Sequence, residues 1–161
     1  MTRVVVNGRW LAQPMTGTQR FADEVCRQFV EDPSVDLEVV VPRRAPIPTW
    51  LPPSATKRLF GRGALFDQVA LPWFMLRRGS SVLISMSGPI SLAVRRQVAV
   101  LFDATMFRFP EGASRLFVAW YRLMYRVAAG RVQRLVTISE FSATELASVL
   151  DVPRERFRVA L

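Results

Sequence analysis

The sequence predicts an α/β fold, a Rossmann-like doubly wound and mostly parallel sheet. Three observations carry this expectation. Short β-branched apolar runs alternate with stretches whose apolar residues recur every three or four positions. No segment repeats and none is of low complexity. Half of the 161 residues are apolar, enough for one domain to bury a substantial core and too many for a disordered chain.

The first strand is Arg3 to Asn7 (RVVVN). A long turn from Gly8 to Gly17 feeds a helix that runs to Glu31, with Phe21, Val25, Phe29 and Val30 as its apolar stripe, and Asp32-Pro33 stops it. Leu37 to Val41 is the second strand, so the start of the chain reads as a β-loop-α-β unit of the kind that builds parallel sheets. Residues 42–63 hold Pro42, Pro46, Pro48, Pro52 and Pro53 and predict a long loop with at most one turn of helix. Residues 64–78 follow as a helix that Pro72 kinks or restarts. Ser81 to Ser85 is the third strand, Met86-Ser87-Gly88-Pro89 a turn, and Gln97 to Phe102 the fourth strand.

Asp103 to Gly112 reads as a loop. The longest helix spans residues 114–130, with Leu116, Phe117, Trp120, Leu123, Met124 and Val127 on one face and Arg115, Arg122 and Arg126 on another. Leu135 to Ile138 is the fifth strand; it breaks at Ser139, and helical spacing resumes at Phe141, Leu146, Val149 and Leu150. Ser142 with Glu145 three residues on fits a capping box. Arg156 to Leu161 supplies a sixth strand.

Charge and composition narrow the chemistry. With 22 basic and 13 acidic residues the net charge is +9, and every basic residue except Lys57 is an arginine. Such a balance suits anionic partners: phosphates, lipid headgroups or nucleic acid. The absence of histidine excludes a His-dependent triad, and with one cysteine it removes His- or Cys-based metal sites, so no metal is expected. Cys26 falls in the apolar pattern of the first helix and reads as a core thiol. The longest apolar stretch, residues 64–76, contains Asp67 and Gln68 and falls short of the roughly 20 residues a bilayer span needs. No signal-peptide pattern opens the chain. The expected location is the cytoplasm, either free or peripheral on the inner face of the plasma membrane.

Candidate site residues cluster where strands feed helices, at the edge where open α/β sheets bind ligands. Gly17 and Thr18 precede the first helix, where a glycine exposes backbone N–H groups and the helix terminus favours an anion. Asp103, behind Phe102, ends the fourth strand, and its carboxylate suits a sugar hydroxyl or a base role as well as loop capping. Ser139, Glu140 and Ser142 form the turn after the fifth strand; capping explains the serines but not Glu140. Lys57, Arg58, Arg62, Trp73, Arg77 and Arg78 give residues 57–78 the basic and aromatic make-up of an interfacial segment.

Four stretches together resemble the N-terminal domain of the family 4 (group 1) GT-B glycosyltransferases, mannosyltransferase-like members included: residues 6–25 (VNGRWLAQPMTGTQRFADEV), 66–72 (FDQVALP), 98–111 (VAVLFDATMFRFPE) and 136–146 (VTISEFSATEL). Taken in order they span nearly the whole chain, residues 6–146. The resemblance implies an acceptor-side domain of a retaining transferase that moves a hexose from a nucleotide sugar to a glycan or lipid-linked acceptor, between two Rossmann-like domains. It places Gly17 in the loop facing the donor diphosphate, Asp103 at the strand end facing the sugar, and Ser139 and Glu140 in the cleft wall. Many relatives have histidine where this chain has Phe102. The resemblance covers residues 1–161 as the N-terminal domain alone, with no counterpart of the donor-binding C-terminal domain, so the chain reads as either a fragment or one partner of a split enzyme completed by a separate donor domain, and as inactive alone. The alternative is a non-catalytic Rossmann-like module that binds anionic lipid, glycan or a partner protein. Nucleic-acid binding rests on the arginine excess alone, without a recognition motif, and is not expected.

Overall fold

A computed structural model describes residues 2–87 and 90–160; the predicted turn at Met86-Ser87-Gly88-Pro89 lies partly outside them, as does the last residue of the predicted sixth strand, Leu161. The architecture is α/β, with one seven-stranded, all-parallel sheet flanked by helices. In chain order the elements are β1 (Thr2–Asn7), α1 (Gly17–Glu31), β2 (Val35–Pro42), β3 (Thr56–Leu59), α2 (Gly63–Leu65), a π turn (Phe66–Ala70), α3 (Leu71–Leu76), β4 (Val82–Ser85), β5 (Gln97–Val100), α4 (Thr105–Arg108), α5 (Arg115–Arg131), β6 (Arg134–Thr137), α6 (Glu140–Leu150) and β7 (Phe157–Val159). Strand order is β3-β2-β1-β4-β5-β6-β7, so the winding reverses between β1 and β4.

Strand alternation assigns the two faces. Val4, Val6, Val39 and Val41 pack with Ala22 and Cys26 of α1, with the buried Trp10 and with Leu51. Val5, Val40 and Leu83 point the other way, onto Phe66, Ala70, Leu71 and Met75. Farther along that second face, Ala99, Leu101, Leu135 and Phe157 meet α5 through Met124, Tyr125 and Ala128, and α6 through Ala143 and Leu146. Burial raises the Cys26 thiol to about 12, as befits a core thiol rather than a nucleophile.

Several local expectations are corrected. Residues 42–63 are not one loop: Thr56–Leu59 pairs in register with Val39 to Pro42 as the edge strand β3. Its sequence, TKRL, lacks an apolar run because an edge strand buries little and tolerates cations that discourage further pairing. The segment after β5 also holds order, with α4 and a 3-10 turn at Pro110–Gly112. Regular pairing of β5 ends at Val100, although the Leu101 N–H still donates to the Val136 carbonyl at 2.8 Å, so Phe102 lies past the strand. Pro72 is accommodated by widening the helix just before it: the Leu71 N–H donates to the carbonyl of Phe66, five residues back. Proline lacks an N–H and crowds the carbonyl four residues earlier, which a π turn relieves.

On α5 the buried face is Val118, Met124, Tyr125, Ala128 and Ala129, whereas Leu116, Phe117 and Leu123 are exposed. Small alanines let α5 lie close to the sheet, and size-weighted periodicity missed them. The cap of α6 is Ser139, not Ser142: the Ser142 N–H donates to Ser139 Oγ at 3.0 Å, while Glu145 pairs with Arg108 at 2.9 Å. Phe141 is 77% exposed and takes no part in the α6 core.

Two glycines offer contrasting tests. A Cβ on Gly8 would lie 2.7 Å from Val41 Cγ1 and 2.9 Å from the Val40 carbonyl oxygen, so β2 requires a bare backbone there. Gly8→Ala is expected to destabilise by about 1–3 kcal/mol through overpacking. A Cβ on Gly130, in the last turn of α5, meets nothing within 4 Å. Gly130→Ala should be neutral or stabilise by up to about 1 kcal/mol, and urea denaturation of the two variants checks both signs.

Candidate functional site

All seven strands are parallel, so every loop that follows a strand opens at one edge, and the reversal between β1 and β4 leaves a crevice there. The predicted site residues fall along that edge. Gly17 is the first residue of α1. Its φ is not positive and an added Cβ would meet no atom within 4 Å, so neither backbone conformation nor packing requires glycine. What remains is an open approach to the first N–H groups of the helix. Thr16 occupies the cap position without donating its side chain to the role; its hydroxyl bonds instead to Gln19 Oε1, as does that of Thr18 at 3.0 Å, and Gln19 Nε2 donates to Gln13 Oε1 at 3.0 Å.

One turn farther along α1, Phe21 meets Phe102 edge-to-face with centroids 5.4 Å apart. This contact joins the first turns of α1 to the residue before Asp103, just past β5. The Asp103 carboxylate is exposed, and Oδ1 accepts from the Thr105 N–H at 2.8 Å, starting α4. Capping is therefore real for Asp103, yet Oδ2 remains open, with no hydrogen bond among the described residues.

Sequence reasoning missed two residues here. Tyr121 and Tyr125, the only tyrosines of the chain, lie one turn apart on α5 with their hydroxyls hydrogen-bonded to each other. Burial raises Tyr121 to about 12 against the lowering effect of its hydrogen bond with Tyr125, and the charge of Asp103 adds to the rise. Burial likewise lifts Tyr125 well above its ordinary value, with the neighbouring Tyr121 and Asp103 contributing. Their spacing of four was the available signal, and it fell between the apolar stripe and the arginine stripe read on that helix.

On the neighbouring strand, Ser139 caps α6 and its hydroxyl also bonds to that of Ser142 at 3.0 Å, which is buried. Glu140 is engaged: its carboxylate pairs with Arg154 from the segment before β7. Just before the turn, Thr137 Oγ1 is buried and without a partner among the described residues. Between the polar groups the edge is studded with exposed Met15, Phe109, Ile138 and Phe141.

Across the crevice, two stretches sixty residues apart converge on one carboxylate. Asp67, in the π turn, is fully buried; Oδ1 accepts from Asn7 Nδ2 at 3.1 Å and Oδ2 pairs with the Arg9 guanidinium. Burial raises the Asp67 carboxyl above its usual range, with Arg9 and Asn7 pulling the other way.

The basic residues of 57–78 are not gathered in one patch. Lys57 and Arg58 sit on β3, where Lys57 Nζ donates to the Ser54 carbonyl at 3.1 Å and Arg58 Nη1 to those of Arg43 and Ala45 at 2.7 and 3.0 Å. Arg62 lies past β3, at the crevice edge of the sheet. Arg77 and Arg78 follow α3 near the opposite edge: Arg77 stacks 3.5 Å over Trp73, and Arg78 forms a two-pronged pair with Glu38 at 2.7 and 3.0 Å. Leu65, Val69, Trp73 and Leu76 nevertheless make an exposed apolar row along the helical stretch between them.

Among the described residues no three His, Cys, Asp or Glu side chains converge as a metal site. No helix of the described residues is long and apolar enough to cross a membrane. Compared with known proteins, the chain matches no family model and no curated sequence.

The tyrosine pair makes a pH prediction. A phenol with a folded pKa raised to about 12 keeps its proton while the unfolded chain, near 10, loses it. The folded state then binds more protons, so stability is intact below about pH 10 and falls as pH rises towards 12. Tyr121→Phe should flatten that fall, measured as urea midpoints across the range; an unchanged slope would contradict the placement of the pair.

Proposed function

We propose that the chain is the acceptor-side domain of a retaining GT-B glycosyltransferase that moves a mannose-like hexose from a nucleotide sugar to a glycan or lipid-linked acceptor. The observation that carries the reading is the Phe21–Phe102 contact, which links the helix with the unobstructed start to the residue before the carboxylate that follows β5, one strand from the switch point. The four stretches that resemble family 4 domains supply the residues on both sides of it. Open N–H groups at Gly17 suit the diphosphate that leaves with growing negative charge. Asp103 suits an acceptor or donor hydroxyl through its open Oδ2. Glu140, held by Arg154, acts in this reading as a wall residue unless a ligand displaces the pair. Phe102, where relatives carry histidine, supplies an apolar surface and no proton.

The apolar side chains Met15, Phe109, Ile138 and Phe141 fit a second domain closing over the same edge. Stabilising a departing diphosphate needs donors on several sides, and one sheet edge surrounds it on one. The 161-residue chain alone should therefore release no nucleotide from GDP- or UDP-sugars; turnover by it would sink this part of the reading. Joined to a donor domain, transfer should appear, and Gly17→Ala should suppress it by at least about tenfold without lowering the melting temperature. Transfer that tolerates Gly17→Ala and Asp103→Ala alike would remove the proposed site.

A second reading, peripheral binding to an anionic membrane, is favoured by the exposed row Leu65, Val69, Trp73 and Leu76 with Arg77 at its end. Vesicles rich in anionic lipid should co-sediment the chain, and Trp73→Ser with Leu76→Ser should release it. Pelleting that ignores both substitutions would rule this surface out.

A further inference from the structure

A cavity of about 930 Å³ opens beyond the ends of β1, β2 and β3, on the far side of the sheet order from Asp103. Four arginines reach its wall from three separate loops: Arg9 after β1, Arg43 and Arg44 after β2, and Arg62 after β3. Among the described residues no acidic side chain lines it. Arg9 is spoken for by Asp67, but Arg43, Arg44 and Arg62 form no ion pair among the described residues.

An ordinary solvated charge run would be mobile and interspersed with carboxylates. Two of these loops are instead fixed from behind. Fully buried Asp67 holds the Arg9 guanidinium, and burying such a pair contributes little stability by itself, so its effect is to orient Arg9. The Arg43–Ala45 turn is closed by the Ala45 N–H on the Pro42 carbonyl at 2.9 Å and clamped by Arg58 on the carbonyls of Arg43 and Ala45. Arg62 sits between Gly61 and Gly63, both at positive φ (89° and 53°), a conformation that glycine adopts without strain. Convergent guanidiniums without counter-charges repel one another, and a multivalent oxyanion relieves this through paired N–H donors. Beside them, half-exposed Phe60 and Leu65 provide an apolar margin.

We propose that this cavity binds a phosphate ester, its phosphate taken by Arg9, Arg43, Arg44 and Arg62 and its body lying against Phe60 and Leu65. The inference stands on the cavity alone and holds whether or not the chain takes part in glycosyl transfer. The ester comes either from a soluble compound such as a sugar phosphate or from a lipid headgroup.

Calorimetric titration of the full chain at low salt separates these sources, using inorganic phosphate, glucose 1-phosphate and dioctanoyl phosphatidate below its micelle concentration. Saturable one-site binding of an ester is expected. Arg43→Gln with Arg44→Gln should weaken it at least about tenfold, and Arg62→Gln likewise. Arg95→Gln with Arg96→Gln, the same charge loss at exposed positions just before β5, should leave it nearly unchanged. Tighter phosphatidate whose advantage disappears in Phe60→Ser assigns a lipid headgroup; glucose 1-phosphate at least as tight assigns a soluble ester. Equal weakening by both arginine pairs, insensitivity to Arg43→Gln with Arg44→Gln, or no binding of any probe would overturn the proposal. Each variant's melting temperature checks its fold, which exposed Arg43, Arg44 and Arg62 do not support through ion pairs.

Discussion

The arrangement of the crevice depends on one buried carboxylate. Asp67 has no exposure, sits in a helix distorted by a proline ahead of it, and takes hydrogen bonds from the end of β1. A carboxylate in such a place would be costly to bury without Asn7 and Arg9, and removing either partner would strand it. The consequence is geometric. The first residues after β1 are tied to the crossover helix on the opposite face, so the chain enters the 3-10 turn at Gly8–Ala12 in a fixed direction. Gly8 then passes against β2 without a side chain, Trp10 drops into the core, and Arg9 remains at the surface of the ion pair, facing the cavity. One charge thus orients the loop that borders both candidate sites.

The sheet and its winding were legible because central parallel strands are buried on both faces and read as unbroken β-branched runs, as at Val4-Val5-Val6 and Val39-Val40-Val41. The same logic explains the misses. An edge strand such as Thr56–Leu59 has no such requirement, and its Lys57 and Arg58 read as loop residues opening a basic, aromatic interfacial segment. On α5 the contact with the sheet runs through Ala128 and Ala129, whose burial depends on closeness rather than bulk. The α6 cap was displaced by three residues because Ser139 and Ser142 both satisfy the local rule, and only the backbone direction at Ser139 decides between them.

At the site, positions were more legible than partnerships. Strand ends named Asp103 and the Ser139–Glu140 turn correctly as features of one edge, since every parallel strand points there. Long-range pairing is a different matter: nothing local in Glu140 indicates Arg154, and nothing in Asp67 indicates Arg9. Glu140 stood out by not being needed for a cap, yet an ion pair is the simpler account of it. Gly17 went the other way. Its glycine had an ordinary explanation in the turn, and the structure removes it, because α1 starts there with room for a side chain and without positive φ.

The two candidate sites are best understood through α1, which lies between them. On one side its Phe21 leans on Phe102 beside Asp103; on the other, Gln19 at its first turn holds Gln13, a residue of the cavity wall. The uncovered N–H groups at Gly17 and the arginines around Arg43 both favour negative charge, whereas the exposed Asp103 carboxylate favours hydroxyls. A ligand spanning the edge would therefore meet cations and open backbone over β1 to β3 and neutral or acceptor groups over β5 and β6. That polarity follows from the position of α1 and needs no movement of the sheet. Phe21 and Phe102 pack against the same core that holds Trp10 and Leu51, so one set of buried side chains supports the ground beneath both sites.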